Sequence, residues 1–251
     1  MLRNAGIAAV NFDLMYGLPH QTVESVARNA EIAASLDPDR LSVFGYAHVP
    51  WMKSHMRMID AETLPDMEAR FLQAATSSDT LIGSNYRHIG LDHFARPGDP
   101  LAAALDNGTL RRNFQGYTTD GAETLIGFGA SAIGAFRQGY VQNETPTGKY
   151  SSAIEAGVLA TARGVEITAE DRARRRIIEQ LMCYLSVDLP EVAPGIAMPS
   201  DALRPLEADG LVEFDERHVR ITERGRPLMR AVCATFDHYL NPATDGHSSV
   251  V

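Results

Sequence analysis

Residues 7–16 form an apolar run broken by Asn11 and Asp13, which alternate with Val10, Phe12 and Leu14. That period of two predicts a β-strand with one polar-bearing face, and Gly17-Leu18-Pro19 stops it. Thr22 is placed to cap a helix running to about Ser35. Glu24 sits in its first turn, and Val23, Val26, Ala27, Ala30, Ala33 and Ala34 make its apolar side. Asp37-Pro38 ends that helix, and Leu41 to Ala47 reads again as a strand. Residues 7–47 therefore predict a β-α-β unit whose connection suits a right-handed parallel crossover, and so an α/β layer fold. In such folds chemistry gathers at the C-terminal strand ends, here Asp13 to Tyr16 and Tyr46-Ala47-His48.

Further along, the pattern predicts a helix from about Ala61 to Ser78 and a short strand from Tyr86 to Gly90. Asp92 to Asp120 is rich in Gly, Pro, Asn and Arg and reads as a long irregular stretch. Loops of that length in compact domains often carry function, so substrate contacts are expected there. From Thr168, an N-cap with Asp171 as its capping-box partner, the periodicity becomes helical through Ile177, Ile178, Leu181 and Met182. Ser200 to Ala208 reads as a helix, Val212 to Phe214 and His218 to Ile221 as a hairpin, and Glu223 to Leu240 as a closing helix, the outline of a winged-helix-like unit. The division expected is 1–145 for an α/β portion, 146–167 for a linker, 168–243 for a mainly helical C-terminal domain and 244–251 for a disordered tail.

The 251 residues are 45% hydrophobic and 22% charged, as in an ordinary globular protein. A complete (β/α) barrel takes about 250 residues by itself, so a barrel plus a helical tail does not fit, and a segment is expected to be missing upstream. The net charge of −9 opposes nucleic-acid binding, and residues 166–245 hold fifteen acidic and ten basic side chains, net −5. The winged-helix-like unit therefore reads as a lid or packing domain. Met1 to Gly6 do not resemble a signal peptide, and no membrane segment is visible, so a cytoplasmic location is expected. The only cysteines, Cys183 and Cys233, lie among apolar residues and read as reduced, buried thiols.

Among candidate site residues, Asp13 is the sharpest, because a carboxylate on the inward face of a buried parallel strand must be paired, hydrogen-bonded or set against a polar ligand. Either it bonds the backbone amides of the Gly17-Leu18-Pro19 turn or it meets a ligand. Ala47 is small enough at a strand end to let a ligand approach. Gly127-Phe128-Gly129 to Gly134 has the wrong spacing for a dinucleotide loop. Arg96, Arg111 and Arg112 fall in the long loop region, where guanidinium groups suit carboxylates. His48, His88 and His93 are not at zinc-ligand spacings.

Two segments, Val10-Asn11-Phe12-Asp13-Leu14-Met15-Tyr16-Gly17-Leu18-Pro19 and Asn113-Phe114-Gln115-Gly116-Tyr117-Thr118-Thr119, together resemble the oxygen-independent coproporphyrinogen III oxidases, which are radical S-adenosylmethionine (SAM) enzymes. Ser42 to His48 and Asp92 to Pro97 extend the likeness. The latter, with the segment at Asn113, favours the oxidase branch over the haem-chaperone branch. The resemblance implies the C-terminal part of a partial (β/α)6 barrel followed by the winged-helix-like domain. It implies SAM contacts at Asp13, Ala47 and Ile133, and a porphyrinogen site drawing on Arg96, Arg112, Phe114 and Gln115.

Family members cleave SAM at a four-iron four-sulfur cluster held by a CxxxCxxC loop. The radical formed takes hydrogen from two propionate side chains, which lose carbon dioxide to become vinyl groups, with an electron donor of the flavodoxin or ferredoxin type. That cysteine loop is absent here. The expectation is a C-terminal half that lacks the cluster ligands, exposes an unpaired sheet edge toward a missing N-terminal half, covalent or separate, and is inactive alone. The alternatives are a non-catalytic SAM or tetrapyrrole binder related to the chaperone branch, and a subunit complemented by a cluster-bearing partner.

Overall fold

The structure, a computed structural model, describes residues 3–240. The first alternating run forms β1 (Asn11–Tyr16), and α1 (Val23–Ser35) follows. Thr22 closes a capping box with Ser25, its side chain accepting from the Ser25 N–H at 3.2 Å while the Thr22 N–H donates to the Ser25 hydroxyl at 3.0 Å. The next strand, β2 (Arg40–Gly45), runs parallel to β1, with Asn11 opposite Arg40, Asp13 opposite Ser42 and Met15 opposite Phe44. The β-α-β expectation holds in kind and in place.

The second long helix starts later than its apolar pattern suggests. Pro65 and the cap Asp66, whose carboxylate accepts from the Ala69 N–H at 2.8 Å, set the start of α2 (Met67–Gly83), and residues 61–63 make only a 3-10 turn. After it, β3 (Arg87–Ile89) and β4 (His93–Ala95) form an antiparallel pair, and β4 lies antiparallel to β2. The sheet order is β1-β2-β4-β3, which leaves β1 at an edge.

Residues 92–120 are not irregular. Besides β4 they hold α3 (Pro100–Asp106), started by Asp99 as cap and Pro100 in the first turn, and a hairpin of β5 (Arg111–Asn113) and β6 (Gly116–Thr118). Arg111-Arg112-Asn113 and Gly116-Tyr117-Thr118 carry no apolar alternation that would announce them as strands. Residues 146–167 are not a plain linker either. A hairpin of β7 (Ile133–Phe136) and β8 (Gly139–Asn143) precedes α4 (Thr147–Glu155), and β9 (Thr161–Glu166) returns to pair with β8. All six residues of β9 are exposed, so neither face carries an apolar signal.

The C-terminal unit begins with α5 (Ala169–Tyr184), capped by Thr168 and Asp171 as expected and ended by Leu185 at φ +61°. Then come β10 (Ser186–Asp188), α6 (Leu189–Val192), α7 (Ser200–Ala208), β11 (Val212–Phe214), β12 (His218–Ile221) and α8 (Met229–Ala234). These three strands form an antiparallel sheet in the order β10-β12-β11. The closing helix is shorter than its pattern because Pro227 holds residues 226–228 in a 3-10 turn. The expected disordered tail, 244–251, and the last three residues of the 168–243 division lie outside the described residues.

Three apolar clusters sit behind these elements. Phe12, Leu14 and Tyr16 of β1 join α1, Leu41, Val43, Leu81 and Phe94 on one face of the first sheet. Ile177, Leu181, Leu203, Met229 and Phe236 fill the C-terminal unit. Cys183 of α5 packs with Ile89, Ala95, Leu101 and Leu110, so α5 covers the far end of the first sheet. Each such fully buried Leu or Phe contributes about 1.5–3 kcal/mol of transfer free energy.

Candidate functional site

One face of the first sheet buries the helices, and the other carries the polar chemistry. Alternation along β1 turns Phe12, Leu14 and Tyr16 toward α1 and α2 and leaves Asn11, Asp13 and Met15 exposed on the opposite side. Strand register then extends Asp13 into a row, Asp13–Ser42–His93, across β1, β2 and β4. Asp13 accepts from the Asn11 amide at 2.8 Å and forms no salt bridge among the described residues, so its carboxylate can still accept further donors.

Two sequence readings of Asp13 are corrected here. The face is open in this chain rather than buried, because β1 is an edge strand. The turn amides also have other partners: the Gly17 N–H donates to fully buried Gln73 at 2.9 Å and the Leu18 N–H donates to Gln21 at 3.0 Å. The turn therefore makes no use of the Asp13 carboxylate.

The β5–β6 hairpin closes over the same face. Asn113 accepts from the Gln115 N–H at 2.8 Å at the tip, and Gly116, at φ +127°, leaves room for His93. A Cβ on Gly116 would stand 3.2 Å from both Cε1 and Nε2 of that ring. Behind it, the buried Tyr117 hydroxyl donates to the Met182 carbonyl at 2.9 Å and accepts from the Leu91 N–H at 2.9 Å. Its burial pushes the phenol pKa far up. At the tip Phe114 is half exposed and meets Tyr140 of β8 edge to face, ring centres 5.1 Å apart. Tyr140 lies opposite Ala135 in the β7–β8 ladder that Ile133 opens, so Ile133 shares a sheet with the aromatic partner of Phe114.

Glycines shape the loop ahead of Ile133. A Cβ on Gly127 would lie 2.8 Å from the Ile133 carbonyl, and the Asn143 amide donates to the carbonyls of Gly127 and Gly129 at 3.1 and 3.0 Å. Ala47 lies past the end of β2 and lines a cavity of about 630 Å³ together with Phe44, His48, Trp51, Arg70 and Arg230. Neither Asp13 nor Ile133 lines that cavity.

The arginines part company. Arg96 turns away from the polar face, donating to the Ser84 carbonyl and Asp37 and lying over the Tyr86 ring at 4.0 Å, which makes it a structural clasp. Arg112 stands 5.6 Å from the Tyr117 ring centre, and its buried Nε has no hydrogen-bond partner among the described residues. Arg111 pairs with Glu179 of α5. The residue that sequence reasoning missed is His93. In the sequence it reads only as one of three histidines off zinc-ligand spacing and as part of the Asp92 to Pro97 likeness, whereas the fold sets it beside Asp92 and in the row of Asp13. Among the described residues no group of three or more His, Cys, Asp or Glu could hold a metal ion. Cys183 and Cys233 are buried, with thiol pKa values pushed up by that burial to about 12. Also among the described residues, no helix is long and apolar enough to cross a membrane.

Comparison with known proteins gives consistent likenesses. Residues 167–228 match the family model described as the HemN C-terminal domain. The chain is 51% identical, over its full length, to the oxygen-independent coproporphyrinogen III oxidase of Bradyrhizobium diazoefficiens, and covers 57% of that protein. The oxidase of Pseudomonas aeruginosa is 41% identical over 92% of this chain, which covers 52% of it. Among solved structures, coproporphyrinogen III oxidase (HemN) from Escherichia coli, described as a radical SAM enzyme, superposes with a TM-score of 0.87 at 39% identity. That match takes in 95% of this chain and 57% of the other. The chain thus spans a little over half the length of the curated relatives it matches.

Proposed function

We propose, for a chain that belongs to the oxygen-independent coproporphyrinogen III oxidase family over 57% of the length of its relatives, that it supplies the SAM-contacting and porphyrinogen-facing C-terminal part of such an enzyme. The reaction is the oxidative decarboxylation of coproporphyrinogen III to protoporphyrinogen IX in haem biosynthesis. The observation that carries this reading is the join between identity and geometry. The strand bearing Asp13 and the hairpin bearing Phe114 and Gln115, far apart in sequence, meet on one polar sheet face through His93 and Gly116.

Taken singly, Asp13, Ala47 and Ile133 suit SAM in their chemistry, while Ala47 lines a cavity that the other two do not, and no residue set suits the iron–sulfur cluster. Asp13 offers a carboxylate with no cationic partner on an open face, and Ala47 and Ile133 offer small and apolar surface to a nucleoside. Asp13 would accept hydrogen bonds from the cofactor, which supplies hydrogen-abstracting chemistry when bound. The cluster finds no ligand set in this chain: two deeply buried thiols in the C-terminal unit are not the three exposed thiolates it needs. We assign the cluster to a segment that the relatives have beyond the matched region, joined to this chain or carried by a separate one. The edge strand β1 is the place for it to pair.

Phe114 and Gln115 would bound the porphyrinogen, and Arg112 would lend positive charge behind Tyr117. Arg96 is left out because its guanidinium is committed elsewhere. An electron donor of the flavodoxin or ferredoxin class would serve the reaction, in the cytoplasm.

Anaerobic reconstitution of the 251-residue chain with iron and sulfide tests the division of labour. The expected result is no stoichiometric four-iron four-sulfur cluster and no SAM cleavage. A full cluster with cleavage would overturn it.

A further inference from the structure

We infer that Asp92 and His93 form a carboxylate-binding element on the polar sheet face, in which the Nε2–H of His93 receives one acid side chain of the tetracarboxylate porphyrinogen. This rests on the reading above and names a contact within its site.

His93 stands in one row with Asp13 and Ser42, so its ring rises from the face assigned to cofactor and substrate. Its Nδ1 lies 2.7 Å from Asp92 Oδ1, a bond that sets the ring's orientation and leaves Nε2 on the Gly116 side. The ring is held on three sides. Tyr117 meets it edge to face at 5.1 Å, Phe44 does so at 6.3 Å, and the Gly116 backbone closes over Nε2 and Cε1. Only 14% of the side chain is exposed. Nε2 has no hydrogen-bond partner among the described residues and is not sealed from solvent, so a ligand can reach it.

A histidine kept purely for structure would spend both nitrogens on protein groups, as His88 spends its Nε2 on the Leu91 carbonyl. In His93 the second nitrogen is presented instead. Asp92 holds Nδ1, and Nε2 is left to form one hydrogen bond with an acid side chain of a ligand. The charges facing the ring are Asp92 beside it, Asp13 two strands away across Ser42, and Arg112 beyond the Tyr117 ring. An incoming carboxylate near Arg112 and away from Asp13 therefore has a favourable side from which to approach.

The test pairs ligand and protein changes. Coproporphyrin III, with four free acids, and its tetramethyl ester are titrated into the 251-residue chain in one buffer, with porphyrin absorbance as readout. His93→Asn keeps a donor for Asp92 and withdraws Nε2. It should weaken the acid by roughly tenfold, the measure of one charge-assisted hydrogen bond, while leaving the ester within about twofold. His93→Gln, whose amide reaches the place of Nε2, should recover part of the loss. Circular dichroism melts confirm that each variant is folded. Equal weakening of acid and ester would overturn the inference in favour of a structural histidine, and so would two variants that bind as the parent does. If the parent chain binds neither porphyrin, the substrate face itself is misassigned and this contact falls with it. If the parent binds and the variants match it, only this contact falls.

Discussion

Replacing Tyr117 with Phe removes one oxygen atom and leaves the ring against His93 and Gly90 unchanged. The hydroxyl joins three parts of the chain: β6, which carries it, the turn at Leu91, whose N–H it accepts, and α5, whose Met182 carbonyl it meets, each at 2.9 Å. Without it the Leu91 N–H and the buried Met182 carbonyl lose this partner. An orphaned buried polar group costs about 1–3 kcal/mol. Because the Leu91 group is only partly buried, the sum is about 2–4 kcal/mol rather than the upper limit. For a chain of this size that lowers Tm by roughly 4–16 °C. Urea unfolding followed by far-ultraviolet circular dichroism, with a thermal melt beside it, measures the change. The first sheet and the helical unit share this clasp, so the variant should also lose coincidence between the two methods. A loss below about 0.5 kcal/mol with an unchanged m value would refute the reasoning, since the two bonds would then contribute nothing net.

Three further outcomes follow from the same geometry. His88 is buried against Phe94, and that burial holds its pKa below 6.5, so the unfolded chain takes up a proton that the folded chain refuses. Its contribution is therefore constant above 6.5, and stability declines as the pH falls from 6.5 toward the folded-state value; His88→Gln should flatten that part of the stability profile measured by urea unfolding. Asp13→Ala removes an exposed carboxylate bonded only to Asn11, so stability should change by less than about 0.5 kcal/mol. In an enzyme completed with a cluster-bearing segment, the same substitution should abolish SAM binding measured by equilibrium dialysis, and retained binding would remove Asp13 from the site. Cys183 and Cys233, with pKa values near 12, should resist iodoacetamide at mildly alkaline pH in the folded chain and react in denaturant. Labelling of either thiol in the native state would contradict their burial.

What the sequence made legible divides along physical lines. The β-α-β unit was readable because its strands are six residues long, its helix is capped, and its apolar face alternates against a polar one, so local and tertiary signals agree. The short strand at Tyr86 to Gly90 was readable as β3, but β4 to β6 were not, because a stretch rich in Gly, Pro, Asn and Arg gives no apolar signal, and β9 was not, because it buries neither face. The start of α2 was misplaced by favouring apolar spacing over Pro65-Asp66. In the site, Phe114 and Gln115 could be named from a motif, but what sets their hairpin on the sheet face that Asp13 shares is a tertiary contact, Gly116 on His93, which no local pattern announces. Arg96 shows the converse: an arginine in a stretch read as a loop, bound by Asp37 and Ser84 from segments that only the fold sets beside it.

The proposal at the centre is that this chain carries a SAM- and porphyrinogen-facing part of an oxygen-independent coproporphyrinogen III oxidase, with the cluster held by a segment outside the matched region. A fusion answers it most directly. The region of the Bradyrhizobium diazoefficiens relative that lies outside the matched 57% is joined to residues 1–251, reconstituted anaerobically with iron and sulfide, and assayed for coproporphyrinogen III decarboxylation with SAM and a reductant. The account expects vinyl-bearing product from the fusion, none from this chain alone, and none from the fusion carrying Asp13→Ala. A fusion that holds its cluster and cleaves SAM, yet leaves coproporphyrinogen III untouched, would contradict the claim.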